Sequence, residues 1–192
     1  MEEAYKVIRN AISNDTVELI KNSILISRQV DYFNKKIDQN NLTAFGDDQS
    51  PISYAGYSSI VSDALMMTLH PLVEEVTGLE LHPTYTYSRI YWKGSTLPKH
   101  TDRPSCQFSI TVCISNDPDP WIIFMGGTPV WLEPGDLIVY KGCEIEHWRY
   151  PYQGNQQIQV FCHYVDANGK YAEFKFDKRP ILGLSHTERI DF

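Results

Sequence analysis

The sequence lacks any long apolar run. No stretch approaches the roughly 18 consecutive apolar residues that a membrane-spanning helix needs. The N-terminal segment MEEAYKVIRN is acidic and amphipathic, which is not the pattern of a secretory signal peptide. We therefore expect a protein without a membrane partner, and a cytoplasmic location.

Positive charge and cysteine are also scarce. The 17 Lys and Arg residues are outnumbered by 24 Asp and Glu residues, which gives a net charge of −7. Because nucleic-acid binding requires a basic surface, nucleic acid is an unlikely main partner. The four cysteines form no CxxC pair, and three of them stand in apolar, strand-like runs, so we expect buried free thiols and no disulfide scaffold.

The remaining composition is that of a soluble globular protein. A chain of 192 residues with 42% hydrophobic and 21% charged residues is long enough for one domain with a sizeable core. The sequence has no internal repeat and no low-complexity segment, and it does not indicate an oligomeric state. We expect a single domain over residues 1–192.

The first 79 residues have a helical texture. Residues 3–13 fit either a helix or a short strand, and Asn14-Asp15 looks like the N-cap of a helix in DTVELIKNSILIS. The polar stretch 34–53 indicates a loop. Residues 58–77 form a second helical stretch that we expect to be interrupted near Pro71 and capped by Gly78.

Short β-type runs replace the helical pattern after residue 80. Seven of them, separated by turn signals, are TYTYSRIYW, CQFSITVCIS, PWIIFM, TPVWLE, DLIVYKG, QQIQVFCHYV and YAEFKF. Helices followed by many short strands predict a mostly β fold with N-terminal helices. We expect a jelly-roll core over residues 80–180, supported on one face by the helical residues 1–79.

Three side chains in this region could bind a metal together. His100 and Asp102 are two residues apart at the entry to a strand, so they can share one face. His147 follows a later strand and could complete the set from a neighbouring strand. Two imidazoles and one carboxylate leave open positions on an octahedral metal, a set typical of non-heme Fe(II) oxygenases. Zinc is the alternative, although no HExxH helix is present and structural zinc favours four ligands with cysteine.

The surrounding residues resemble a known family. In order, the chain carries Tyr91, Gly94, His100-Thr101-Asp102, Pro134-Gly135-Asp136, His147 and QVFCHYVD. Residues 84–166 thereby resemble the double-stranded β-helix core of the Fe(II)/2-oxoglutarate-dependent oxygenases, and within them the prolyl-hydroxylase-like group. The resemblance implies Fe(II) bound by His100, Asp102 and His147 as catalytic residues. It further implies 2-oxoglutarate and O2 as cosubstrates, and hydroxylation of a peptidyl or small-molecule substrate with decarboxylation of 2-oxoglutarate to succinate.

One position departs from the family pattern. The family usually carries Arg or Lys nine or ten residues after the distal histidine, where it pairs with the far carboxylate of 2-oxoglutarate, and this sequence has glutamines at 156, 157 and 159. A glutamine cannot supply a charge-assisted pair. We expect Arg149, two residues past His147, to supply the cation instead, with Arg103 beside Asp102 as the alternative. Tyr91 and Gln157 would add hydrogen bonds to the cosubstrate. Arg89 and Lys141 are further candidate cations.

Two other classes of function remain open from sequence. A cupin-type metal-binding β-sandwich without oxygenase activity would account for the missing Arg or Lys. A non-catalytic interaction module would carry the His-x-Asp triplet by coincidence. In the first case Fe(II) and 2-oxoglutarate together should give no charge-transfer band, and in the second alanine at His100, Asp102 and His147 should leave metal content and function unchanged.

Overall fold

A computed structural model of the chain describes residues 3–34, 47–118 and 120–184. Two helices and ten strands form its framework: β1 (Tyr5–Ile8), α1 (Asn14–Phe33), β2 (Ser53–Tyr57), α2 (Ile60–Thr77), β3 (Leu81–Trp92), β4 (Leu97–His100), β5 (Phe108–Ser115), β6 (Ile123–Met125), β7 (Thr128–Val130), β8 (Leu137–Tyr140), β9 (His147–Arg149) and β10 (Gln156–Asp166). Short 3₁₀ segments cover Pro104–Cys106 and Ala172–Lys178. No helix within the described ranges is long and apolar enough to cross a membrane.

The strands form two antiparallel sheets. The major sheet has six strands in the order β1-β8-β5-β10-β3-β2, and the minor sheet has four in the order β4-β9-β6-β7. The inner faces of the two sheets pack together, because Cys113, Ile138 and Tyr140 of the major sheet share one apolar cluster with Ile123 and Met125 of the minor sheet. The prediction of a jelly-roll core flanked by helices is confirmed.

Alternation along β10 separates the two faces of the major sheet. Ile158, Val160, Cys162 and Tyr164 belong to the main core, which also contains Val17, Ile20 and Ile24 of α1 and the buried face of α2. The intervening residues at 157, 159, 161 and 163 therefore point toward the minor sheet. The helices cover the outer face of the major sheet and leave its inner face to line a cavity.

Both helices are capped as their sequences favour, with one correction. The N-cap of α1 is Ser13, whose hydroxyl accepts from the Thr16 N–H, so the assignment to Asn14-Asp15 was wrong by one residue. Gly78 ends α2 in the left-handed region, with φ of 72°, as predicted. The interruption expected at Pro71 does not occur: α2 continues through this exposed proline, and Met67, whose carbonyl loses its hydrogen-bond donor, is exposed as well.

Most strands predicted after residue 80 are present, but their first and last residues differ from the prediction. The segment YAEFKF is not a strand, because its end turns through positive φ at Phe176 and Asp177 and forms an irregular 3₁₀ segment. Residues 3–13, for which the sequence allowed a helix or a short strand, contain the short strand β1. Strands β2, β4 and β9 were not predicted, and most of the loop expected at 34–53 lies outside the described residues.

Candidate metal centre and cavity

His100, Asp102 and His147 lie together at the edge of the minor sheet. His100 ends β4 and His147 begins β9, and the two residues are direct partners in the antiparallel pairing of these strands. Their Nε2 atoms lie 3.6 Å and 3.5 Å from Oδ1 of Asp102. One ligand atom from each residue lies within 4.8 Å of the others, which is close enough to hold one ion.

The backbone fixes which nitrogen of each imidazole carries the hydrogen. Nδ1 of His100 lies 2.7 Å from the Pro98 carbonyl oxygen, and Nδ1 of His147 lies 3.0 Å from the Ile145 carbonyl oxygen. A carbonyl only accepts hydrogen bonds, so each Nδ1 carries the hydrogen and each Nε2 carries a lone pair. The two lone pairs and Oδ1 of Asp102 therefore converge, and the carbonyls act as the outer supports that metal-binding histidines usually have.

The electrostatics keep His100 and Asp102 in the forms that bind metal. Burial, and the proximity of His147, lower the pKa of His100, so its ring is neutral at neutral pH. Burial alone would raise the pKa of Asp102, but the close contact with His147 and the hydrogen bond from Ser109 outweigh it and lower that pKa. A neutral imidazole beside a carboxylate is ready for ligation without losing a proton.

Gly142 lets the backbone approach Asp102 closely. Its carbonyl accepts from the Asp102 N–H at 2.8 Å. A Cβ at residue 142 would overlap both Oδ2 of Asp102 and the Cys106 carbonyl oxygen. The turn after β8 therefore requires glycine for a steric reason, and it forms a wall on the Oδ2 side of the carboxylate.

A cavity of about 590 Å³ lies over these residues, between the two sheets. Its walls are largely aromatic, and Tyr85, Tyr87, Arg89 and Tyr91 project into it from one face of β3. From Tyr85 to Tyr91, six residues of strand span about 20 Å. The cavity therefore extends well beyond the metal-capable residues and has room for more than a single small ligand.

Arg149 is buried beside one end of this cavity. It is 3% exposed, it stacks 4.8 Å from the centre of the Trp121 ring, and it donates to the Trp121 carbonyl oxygen. It also interacts electrostatically with Tyr91 and Tyr140, which line the cavity, although Arg149 itself does not. Burial lowers the pKa of Arg149 to about 10, so the guanidinium remains charged at neutral pH.

This buried cation has no carboxylate partner in the described part of the chain. Four other arginines do have one within 4.0 Å, namely Arg9, Arg89, Arg103 and Arg179. Gln159 is fully buried on the inner face of β10, opposite Cys113, which interacts electrostatically with Arg149. Neither the amide nitrogen nor the amide oxygen of Gln159 has a hydrogen-bond partner among the described residues. A buried guanidinium without a carboxylate partner, together with an unsatisfied buried amide, is the arrangement expected where an anion binds.

The other predicted cosubstrate residues are placed differently from Arg149. Tyr91 is buried and lines the cavity, and Arg103 lines its other end, where Asp177 already holds the guanidinium at 3.2 Å. Gln157 is buried outside the cavity lining, and its amide oxygen accepts from the Trp121 N–H. The candidate cation Lys141 pairs with Glu144 and does not line the cavity.

Three residues at the site were missed in the sequence. Ser109 and His163 lie beside Asp102 on the inner faces of β5 and β10, and the strand alternation could have placed them there. Gln49, whose amide nitrogen lies 2.9 Å from Nε2 of His100, comes from a polar stretch with no local pattern that points to the site.

Sequence comparisons find no relatives, whereas structural comparisons find many. No protein-family model and no curated protein match the chain. Solved structures do match, and the first of three examples is a viral collagen prolyl hydroxylase from Paramecium bursaria Chlorella virus-1 in complex with 2OG. It has a TM-score of 0.61 at 11% identity, over 85% of this chain and 96% of that chain.

The other two examples come from bacteria. HygX from Streptomyces hygroscopicus, with nickel, 2-oxoglutarate and hygromycin B bound, has a TM-score of 0.63 at 14% identity, over 86% of this chain and 84% of that one. A Pseudomonas putida prolyl-4-hydroxylase has a TM-score of 0.61 at 13% identity, over 86% and 94%. The chain therefore has the double-stranded β-helix fold that these 2-oxoglutarate-dependent oxygenase structures share.

Proposed function

We propose that this protein is an Fe(II)- and 2-oxoglutarate-dependent dioxygenase that hydroxylates a C–H bond of a peptidyl or small-molecule substrate. The observation that carries the proposal is the convergence of two Nε2 lone pairs and one carboxylate oxygen within 4.8 Å. The fold likeness supports it, because structures with that fold contain nickel and 2-oxoglutarate.

His100, Asp102 and His147 would hold the metal on one side and leave its other positions toward the cavity. When bound, Fe(II) supplies the activation of O2 that is coupled to decarboxylation of 2-oxoglutarate to succinate. The chain supplies fixed ligand orientations through the Pro98 and Ile145 carbonyls. The presence of the Asp102 carboxylate favours hydroxylation, because related halogenases carry a small residue at that position.

Arg149 would anchor the far carboxylate of 2-oxoglutarate, which is the role of the missing downstream cation. It is a permanent charge with no carboxylate of its own among the described residues, and a buried charge without an opposite charge is costly. Gln159 would complete the contact, since its amide has no other partner. Tyr91 lines the cavity and interacts electrostatically with Arg149, and its hydroxyl would contact the same ligand.

The aromatic walls have a separate task. Tyr57, Tyr85, Tyr87 and Phe161 line the cavity beyond the proposed ligands, and Tyr57 stacks on Tyr85 with ring centres 5.2 Å apart. Such walls limit the water that reaches the reacting carbon and leave room for an apolar or extended substrate group. They do not select between a peptidyl substrate and a small molecule.

The test is an anaerobic titration of the metal-free protein with Fe(II) and then with 2-oxoglutarate, followed by visible absorbance. We expect a saturable charge-transfer band in the wild-type protein and none in His100→Ala or Asp102→Ala. His82→Ala is the matched control, because His82 lies on β3 outside the cavity lining and its loss should leave the band unchanged.

The same titration separates the alternatives. Iron binding without the band would contradict the oxygenase proposal and support a cupin-type metal-binding protein. No iron binding at all would contradict both and leave an interaction module. A band that survives in His100→Ala and Asp102→Ala would show that the metal binds elsewhere.

A further inference from the structure

We propose that Ser109 and His163 are positioning residues: the Ser109 hydroxyl, held by His163, occupies Oδ2 of Asp102 and leaves only Oδ1 free for a metal. The inference rests on the proposed metal site and extends it to two residues that the ligand pattern does not include. It explains how a carboxylate with two equivalent oxygens presents one of them to the two imidazoles.

Ser109 makes the direct contact. It is fully buried at the start of β5, and its hydroxyl oxygen lies 2.8 Å from Oδ2 of Asp102. A serine hydroxyl has one hydrogen, and a carboxylate can only accept it. The hydroxyl therefore donates to Oδ2, which is nearer than the Cys106 carbonyl oxygen at 3.3 Å, and it accepts from Nδ1 of His163 at 2.9 Å.

His163 completes a chain of three hydrogen-bonded groups. It pairs with Ser109 across β10 and β5 and is 6% exposed. Because the Ser109 hydroxyl can only accept from it, Nδ1 of His163 carries a hydrogen and donates to that hydroxyl. The Tyr85 ring, centred 4.5 Å away, holds the imidazole in this orientation.

The other side of Oδ2 is closed by backbone. Gly142 stands where even a Cβ would overlap Oδ2, and a Cβ there would also come within 2.9 Å of the Ser109 hydroxyl. Oδ1 faces Nε2 of His100 and of His147 instead. Ser109 and Gly142 together prevent the carboxylate from offering both oxygens to one ion, and His163 keeps the Ser109 hydroxyl turned toward Asp102.

The experiment measures Ni(II) affinity in the full chain, with Ni(II) alone as the probe. We expect Ser109→Ala to weaken binding about tenfold to a hundredfold, the range typical for loss of an outer hydrogen bond to a ligand. His163→Leu should weaken it as well, whereas His163→Asn should restore it, because the asparagine amide can place an N–H near the position of Nδ1. The double variant Ser109→Ala/His163→Leu should bind no more weakly than Ser109→Ala alone, since His163 acts through Ser109.

A control variant and a Co(II) spectrum distinguish a positioning role of Ser109 from a general loss of protein stability. Thr86→Val removes another fully buried hydroxyl that donates to a carboxylate, Asp63 at 2.6 Å, and should destabilise the protein without changing Ni(II) affinity. At saturating Co(II), the visible ligand-field spectrum should change in Ser109→Ala and stay the same in Thr86→Val.

The outcomes distinguish this inference from the proposed function. A wild-type protein that binds no Ni(II) would overturn both. Wild-type binding that is lost in His100→Ala but unchanged in Ser109→Ala, with an unchanged Co(II) spectrum, would overturn the positioning role alone. Additive losses in the double variant would also overturn it, because they would show that His163 does not act through Ser109.

Discussion

Replacing Arg149 by methionine should weaken 2-oxoglutarate binding strongly and leave the ligand-free protein as stable as before, or more so. Methionine keeps much of the apolar stem of arginine and removes the charge. If the guanidinium holds a carboxylate, its loss leaves a buried anion unpaired. Truncating one partner of a buried, hydrogen-bonded charge pair costs about 2–5 kcal/mol, which corresponds to a 30-fold to several-thousand-fold rise in Kd.

The ligand-free protein should not lose stability in Arg149→Met, because the charge that is removed is buried. The pKa of Arg149 is about 10, well below that of an ordinary arginine, so burial disfavours the charged form by roughly 3 kcal/mol. Removing the charge relieves this cost, and the loss of the bond to the Trp121 carbonyl and of the stacking on the Trp121 ring offsets part of the gain. An arginine with a purely structural role would instead destabilise the fold when removed.

The assay has two parts on the same protein. The Kd of 2-oxoglutarate comes from the absorbance titration with Fe(II) bound, and the free energy of unfolding of the metal-free protein comes from urea denaturation. Arg103→Met is the matched control, because Arg103 is a cavity arginine that already has a carboxylate partner. An unchanged Kd in Arg149→Met together with a raised Kd in Arg103→Met would refute the assignment and move the anion site to the other end of the cavity.

Two further predictions concern the groups around Asp102. A histidine in the unfolded chain takes up a proton near pH 6.5, whereas His163 in the folded protein does so only near pH 4. The folded state therefore becomes less stable as the pH falls from 6.5 toward 4. Between pH 7.5 and pH 5 the free energy of unfolding should fall by about 2 kcal/mol from this residue, which is measurable as a shift in the urea midpoint. His163→Leu should reduce this shift. Parallel pH profiles for the wild-type protein and the variant would contradict the prediction. Gly142→Ala should abolish Ni(II) binding, measured by calorimetry, because the added Cβ overlaps Oδ2 of Asp102. The control is Gly127→Ala, where a φ of 97° strains an alanine but no atom lies within 4 Å of the added Cβ, so Ni(II) binding should be retained. Normal affinity in Gly142→Ala would show that the turn can move.

Much of the site could be anticipated because its residues obey local periodicity. His147 and Arg149 are both buried on the inner side of β9, while Trp148 between them stacks on Phe124 on the outer side, as alternation requires. The same rule applied to β5 and β10 would have placed Ser109 and His163 inside. These two residues were missed because a buried serine or histidine in a strand has no sequence signal beyond its phase.

Other features depend on contacts that local patterns do not encode. The segment YAEFKF alternates like a strand, yet its backbone turns at Asp177, whose carboxylate binds Arg103 and Tyr57 from distant parts of the chain. Gln49 reaches His100 across 51 residues of sequence. Both cases are set by tertiary pairing, which overrides the intrinsic preference of a short segment.

The minor sheet consists only of short strands, whereas the major sheet contains the two longest strands, and this has a consequence for local opening. Strands β6, β7 and β9 have three residues each and β4 has four, whereas β3 and β10 of the major sheet have 12 and 11. The two histidines stand on these short strands, while Tyr91 and Gln159 stand on the long ones. Amide hydrogen exchange should therefore be fastest in the minor sheet, and an ion that joins His100 to His147 should slow it there most, as a cross-link between two strands that have few hydrogen bonds of their own.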